Sequence, residues 1–101
     1  MIARVWQGST RPPDADRYLA HLNERTIPAL AALDGYRGVY VLRQPRGDAV
    51  DFLVLTLWES IDAIRRFSGP DAEAAVLPPE ALALLATADP RARHYEVAAR
   101  G

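Results

Sequence analysis

The stretch Phe52-Leu53-Val54-Leu55-Thr56-Leu57-Trp58-Glu59-Ser60-Ile61-Asp62-Ala63-Ile64-Arg65-Arg66-Phe67 decides the fold. Its first half is continuously apolar and far too short to span a bilayer. An apolar run of this length reads as a β-strand covered on both faces. Ser60 is placed to cap a helix, because its hydroxyl can accept from a free N–H of the first turn. Ile61, Ile64 and Phe67 then recur at helical spacing. Gly69-Pro70 stops the helix, since proline offers no N–H.

Working back toward the N-terminus, Val50 to Trp58 is a strand. It is preceded by Gln44-Pro45-Arg46-Gly47-Asp48, which is turn chemistry, and by a second apolar run, Tyr36 to Arg43. The two strands form a hairpin. Leu19, Leu22, Thr26, Leu30 and Leu33 share one face of a helix that starts near Ala15 with Asp14 as its N-cap. Pro28 is expected to kink or split that helix, and Asp34-Gly35 ends it. Ile2 to Gln7 is a first strand. Beyond the central stretch, Asp71 to Leu77 reads as a short helix, Pro78-Pro79 as a break, Glu80 to Ala88 as a helix and Arg93 to Ala98 as a last strand. The order β-α-β-β-α-β is a split βαβ unit, a ferredoxin-like α+β fold with a four-stranded antiparallel sheet, in a single domain over residues 1–101.

The composition narrows the chemistry. The 12 basic residues are all arginine, so lysine Schiff-base and lysine general-base mechanisms are excluded. Cysteine is absent, which excludes disulfides and thiolate sites. A net charge of −1 argues against a nucleic-acid or anionic-membrane partner. No metal-ligand spacing, phosphate loop or nucleophile elbow is present, so no metal and no bound cofactor is expected. Met1 to Trp6 has no long apolar run of the signal-peptide kind, and a soluble, cytoplasmic protein is expected.

The Leu57-Trp58-Glu59-Ser60 strand end and the Ile61 to Phe67 helix resemble the antibiotic biosynthesis monooxygenase family. The Gly35-Tyr36-Arg37-Gly38 start of the second strand and the His94-Tyr95-Glu96-Val97 end strand fit the same pattern, over nearly the whole chain. The resemblance implies a dimeric α+β barrel. It also implies a pocket bordered by Trp58 and a cofactor-independent oxidation of an aromatic, quinol- or anthrone-type small molecule. Anthrone-oxidising members carry a polar residue four before that tryptophan and a tyrosine six after it; here those positions are Val54 and Ile64. Haem-degrading relatives place an axial histidine about twenty residues after the tryptophan and an asparagine on strand one. Here those regions read Val76-Leu77-Pro78 and Trp6-Gln7, so haem ligation in the family manner is not expected.

The candidate site residues follow. Trp58 is either a pocket wall or a core residue that needs one acceptor for its N–H. His94 is either a proton acceptor for a phenol or an enolisable carbon, or a hydrogen-bonded structural histidine. His21 reads as a solvated helix residue. Arg37 and Arg43 share strand parity; if Gln44 pairs with Ala49, they lie on the face of Val54, Thr56 and Trp58 and can meet an anionic oxygen. A one-residue slip would flip them. Arg4 and Trp6 share a face of strand one, and which face that is stays open. Val54, Ile64 and Phe67 complete the dry walls, with the pocket between the sheet and the Ile61 to Phe67 helix.

The competing functions are a non-catalytic binding or accessory protein, and an isomerase or cyclase of the same superfamily. On the same register Tyr36, Tyr40, Leu42, Leu53, Leu55 and Leu57 make a bare apolar face. Such a face predicts a homodimer, since monomers rarely expose that much apolar surface.

Overall fold

The computed structural model describes residues 1–101, the whole chain. Strand β1 (Ile2–Thr10) is followed by a 3-10 turn (Pro12–Asp14), helix α1 (Ala15–His21), a π-helical segment (Leu22–Thr26) and helix α2 (Ile27–Ala31). Then come β2 (Tyr36–Arg46), β3 (Ala49–Trp58), α3 (Ile61–Ser68), the short α4 (Pro79–Leu82), β4 (Thr87–Ala88) and β5 (Arg93–Glu96).

The sheet is antiparallel in the order β2-β3-β1, and the free edge of β1 is shared by two strands. β5 pairs with Ile2 to Val5, and β4 pairs with Gly8 and Ser9. The expected fourth position therefore exists but is filled by two short strands. Thr87–Ala88, expected to close a helix, is one of them. Helix formation after Pro79 stops at Leu82. Beyond it Ala86 N–H bonds Ser9 O and Asp89 N–H bonds Gln7 O, so sheet bonds replace helical ones. Asp71 to Leu77 is not helical either; an isolated bridge joins Ala74 to Arg91, and Ala92 N–H bonds Glu73 O. β5 ends at Glu96 rather than Ala98, and it is an edge strand.

Pro28 splits the first helix as expected. Proline cannot donate to the carbonyl four residues back, and its ring crowds that carbonyl. The backbone widens just before it: Ile27 N–H bonds Leu22 O, five residues back. Asp14 makes no side-chain capping bond; it closes the 3-10 turn and pairs with Arg11 at 3.3 Å. Ser60 does cap α3, accepting from Ala63 N–H at 3.1 Å, and Gly69, at φ +85°, ends it.

The hairpin is tighter than expected. Arg46 pairs with Ala49, leaving Gly47-Asp48 as the turn, and Gln44 pairs with Asp51 rather than Ala49. The shift is two residues, so parity survives, and Arg43 still lies on the face of Phe52, Val54 and Trp58. A bulge between Tyr36 and Gly38 changes the far end. It turns Tyr36 inward, edge-on to Trp58 with ring centroids 5.5 Å apart. Tyr36 therefore leaves the bare face.

Two core clusters lie on the helix-covered side. One joins Trp6, Tyr18, Leu22, Phe52 and Ala81; the other joins Leu30, Trp58, Ala63 and Ile64. None of Val5, Leu53, Leu55 or Leu57, on the opposite face, packs into either cluster. Tyr40, Leu42 and Tyr95 stand 59%, 51% and 53% exposed on that same face. No helix is long and apolar enough to cross a membrane.

Gly35 holds the junction of helix, strand and α3. Its φ is +88°, and a Cβ there would lie 2.5 Å from Ala63 Cβ. Gly35→Ala is expected to cost about 2–4 kcal/mol, combining backbone strain and overpacking. Gly47→Ala, at φ +57° in open space, should cost only about 1 kcal/mol. Urea unfolding at a constant m-value checks both.

Candidate functional site

Between the two core clusters lies a cavity of about 50 Å³. Its floor is the sheet. Strand pairing sets Arg4 opposite Thr56 and Trp6 opposite Val54, all on the helix-covered side. Its roof is Tyr18, His21, Leu22 and Thr26 from α1 and the π segment, with Phe67 and the Val76 to Pro78 loop closing one side. The cavity thus sits under the first helical segment and meets α3 only at its C-terminal Phe67. The expected position, beneath the whole inner face of α3, is filled instead by Ala63 and Ile64 packed on Trp58.

The cavity shares His21, Thr26, Phe67, Val76 and Pro78 with a wider depression of about 660 Å³. That depression is also bordered by Arg17, Glu24, Arg25 and Glu80. A third hollow, about 750 Å³, is a broad surface depression beside the hairpin and β4. It is larger and is lined by Arg43 and Phe52, but not by Arg4 or His94.

Trp6 and Tyr18 are nine-tenths or more buried, and their rings lie 6.5 Å apart. The Trp6 indole N–H donates to Asp89 O at 2.7 Å, pinning the segment before β5 onto β1. Burial pushes the Tyr18 phenol up to about 12. It therefore stays protonated at neutral pH and serves as a donor rather than a base. His21 stacks on Tyr18 at 6.3 Å and lines both hollows, so it belongs to the rim of the site rather than to plain solvent.

Arg4 is 5% exposed. One of its terminal nitrogens donates to Ala74 O at 2.6 Å, and its guanidinium lies over the Phe67 ring, 5.4 Å from the centroid. Burial lowers its pKa. Across the strand pair stands His94, half-buried, with Nε2 buried and lacking a hydrogen-bond partner. Desolvation lowers the His94 pKa first, and the Arg4 charge lowers it further. A neutral imidazole beside a cation can accept a proton.

Of the expected site residues, the fold brings Arg4, Trp6, Val54 and Phe67 together around the cavity; His94 stands beside Arg4 but lines none of the three hollows. Trp58 and Ile64, both 0% exposed, are core. The Trp58 indole donates to Thr56 Oγ1 at 2.8 Å, so it backs the cavity through Thr56 rather than forming its wall. Arg37, at the bulge, turns outward to pair with Glu59. Arg43 keeps the right parity but lies beyond the cavity, exposed and paired with Asp16 at 2.8 Å. Tyr18, His21, Thr26, Val76 and Pro78 also line the cavity, and sequence reasoning did not place them there. Tyr18 lies three residues before His21 and four before Leu22, and this helical spacing is the signal that could have placed it.

The pH dependence of folding follows from His94. Its folded-state pKa is depressed below 6.5, so its contribution to stability is complete above that value. As pH falls through 6.5, the unfolded chain binds the proton first and stability declines toward the folded-state pKa. Urea unfolding at pH 7.5 and 5.5 should show the loss, and His94→Gln should reduce it.

The family model for antibiotic biosynthesis monooxygenase matches residues 1–76, from β1 through α3 into the loop that borders the cavity. No curated protein matches the sequence. Among solved structures, a Bacillus cereus protein assigned to the same kind of monooxygenase superposes with a TM-score of 0.66 at 12% identity, covering 100% of this chain and 94% of that one. The haem degrader MhuD of Mycobacterium tuberculosis, with two haems in its active site, gives 0.63 at 19% identity, over 100% and 99%. Rv0793 of the same organism gives 0.57 at 19%, over 94% and 92%. At these identities the superpositions speak for the fold.

Proposed function

The chain belongs to the antibiotic biosynthesis monooxygenase family, and from that membership we propose that it oxidises an aromatic, quinol- or anthrone-type small molecule with dioxygen and without a bound cofactor. The observation that carries this reading is the aromatic-walled cavity between Trp6, Tyr18 and Phe67, which opens onto the wider depression with room for a ring and has Arg4 as its one charged side chain beyond the rim histidine. An electron-rich aromatic anion can itself reduce oxygen, so the protein need only deprotonate, orient and exclude water. His94 takes the proton. In the anthrone case the reacting CH₂ carbon loses its hydrogens and gains one oxygen atom as a carbonyl; the second oxygen atom leaves as water.

MhuD holds haem, but the residues here do not fit that group. The inner cavity, about 50 Å³, takes no porphyrin, and the wider depression beside it offers only His21 as a candidate axial ligand. The imidazole on its rim, His21, is stacked on Tyr18. A second reading, a binding protein without turnover, is supported by the apolar Val54 in the cavity wall. Oxygen-electrode assays of metal-free protein with an anthrone separate the readings. Oxygen uptake with product formation supports the oxygenase. Saturable binding alone supports the binding protein, and turnover without oxygen uptake supports an isomerase or cyclase. In the first case His94→Ala should lower kcat by about 10²–10⁴-fold with less change in binding.

The working form we propose is a soluble, cytoplasmic homodimer joined through Val5, Tyr40, Leu42, Leu53, Leu55 and Leu57. An isologous contact would cover this apolar face on both protomers. Light scattering at micromolar concentration should give twice the chain mass. Leu55→Arg should give a monomer or an unfolded chain, because it would bury an unpaired charge.

A further inference from the structure

Arg4 is the only arginine of this chain that is buried. It also belongs to none of the ion pairs that engage Arg11, Arg17, Arg37, Arg43, Arg46, Arg65 and Arg91. Taking a cation out of water costs several kcal/mol unless a counter-charge or hydrogen bonds offset it. Here the offset is incomplete. A guanidinium carries five N–H donors. Ala74 O takes one of them at 2.6 Å, Phe67 offers only its ring face, and Nε is buried without any partner. Thr56, the cross-strand neighbour, is itself occupied: its hydroxyl faces the Trp58 indole and the Arg4 carbonyl.

Size sets the rest. An apolar cavity that takes benzene measures about 150 Å³, three times the volume beside Arg4. The inner cavity therefore admits a small polar head and not a ring. The ring has room in the outer depression, which reaches the head through the shared rim of His21, Thr26, Phe67, Val76 and Pro78.

We propose that this is a carboxylate site: Arg4 binds the anionic head of an aromatic acid in the inner cavity, while the aromatic body lies in the outer depression against Phe67, Val76 and Pro78. The proposal rests on the reading of this cavity as the substrate pocket, and it deepens that reading by naming the head group. A charge-assisted bond from the guanidinium to a carboxylate oxygen gives the buried cation the counter-charge the fold omits.

Titration calorimetry with 1-naphthoate and the isosteric, uncharged 1-naphthamide tests it. The parent protein should bind the acid at least about tenfold more tightly than the amide. Arg4→Gln should abolish the preference, so that acid and amide bind alike. Arg4→Lys should keep part of the preference, since it keeps the charge and loses the fork. Should Arg4→Gln fail to fold, arginine-labelled parent protein reads the same point by NMR. The Arg4 Nε–H resonance should shift with naphthoate and stay in place with naphthamide. Equal affinity for both probes, a preference that survives Arg4→Gln, or an unmoved Nε–H resonance overturns the carboxylate site. Binding of both probes alike overturns it while sparing the aromatic pocket; binding of neither overturns the two together.

Discussion

Everything in this molecule hangs on the pairing of β1 with β3. The register places Ile2, Arg4, Trp6 and Gly8 opposite Trp58, Thr56, Val54 and Phe52. Because side chains alternate, a one-residue slip of β1 would send Arg4 and Trp6 to the opposite face and bring Val5 beneath the helices. The helices are indifferent to which apolar residues they meet, but the cavity is not. Its cation, its indole wall and its hydroxyl all derive from the same parity. β1 also bonds to every other strand except β2, so its register governs the sheet as a whole.

The C-terminal part of the chain is held less by hydrophobic bulk than by the polar ends of two β1 side chains. Arg4 reaches Ala74 O, and Trp6 reaches Asp89 O. These long-range bonds fix the loop that closes one side of the cavity and the turn that leads into β5. The Arg91 interactions with Asp71 and Glu73 tie the same two segments at the surface, where solvent screens such pairs to little net value. The buried contacts therefore set the geometry. A residue well placed to hold a ligand thus also positions part of the wall around it.

The architecture was legible because its signals are local. The Phe52 to Phe67 run, the Ser60 cap and the turn chemistry between Gln44 and Asp48 each mark their element locally, though the turn itself closes two residues tighter, at Gly47-Asp48. The site was legible only in part. Arg4, Trp6, Val54 and Phe67 do converge, but their meeting depends on strand register, which no local pattern reports. The bulge at Tyr36 exchanged the facings of Tyr36 and Arg37, and a bulge is a long-range event that leaves no periodic trace. Trp58 drew attention as a pocket wall, yet a large indole whose N–H finds Thr56 is satisfied in the core. The alanine-rich segment after Pro79 misled for a related reason. Alanine favours a helix in isolation, whereas the open edge of β1 offered Thr87 and Ala88 better-aligned partners.

The π segment at Leu22 to Thr26 gives the site an adjustable dimension of a different kind. A π-turn is, in effect, an α-helix that has accommodated one extra residue without breaking. His21 and Thr26, on either side of that excess, both border the mouth of the cavity. The aperture is therefore governed by chain length as well as by side-chain size. Removing one residue would let the segment rewind to a regular α-helix, keeping the facing of Leu30 while changing the backbone between His21 and Thr26. Insertions and deletions, normally confined to loops, become in this helix a means of re-tuning which molecules can enter.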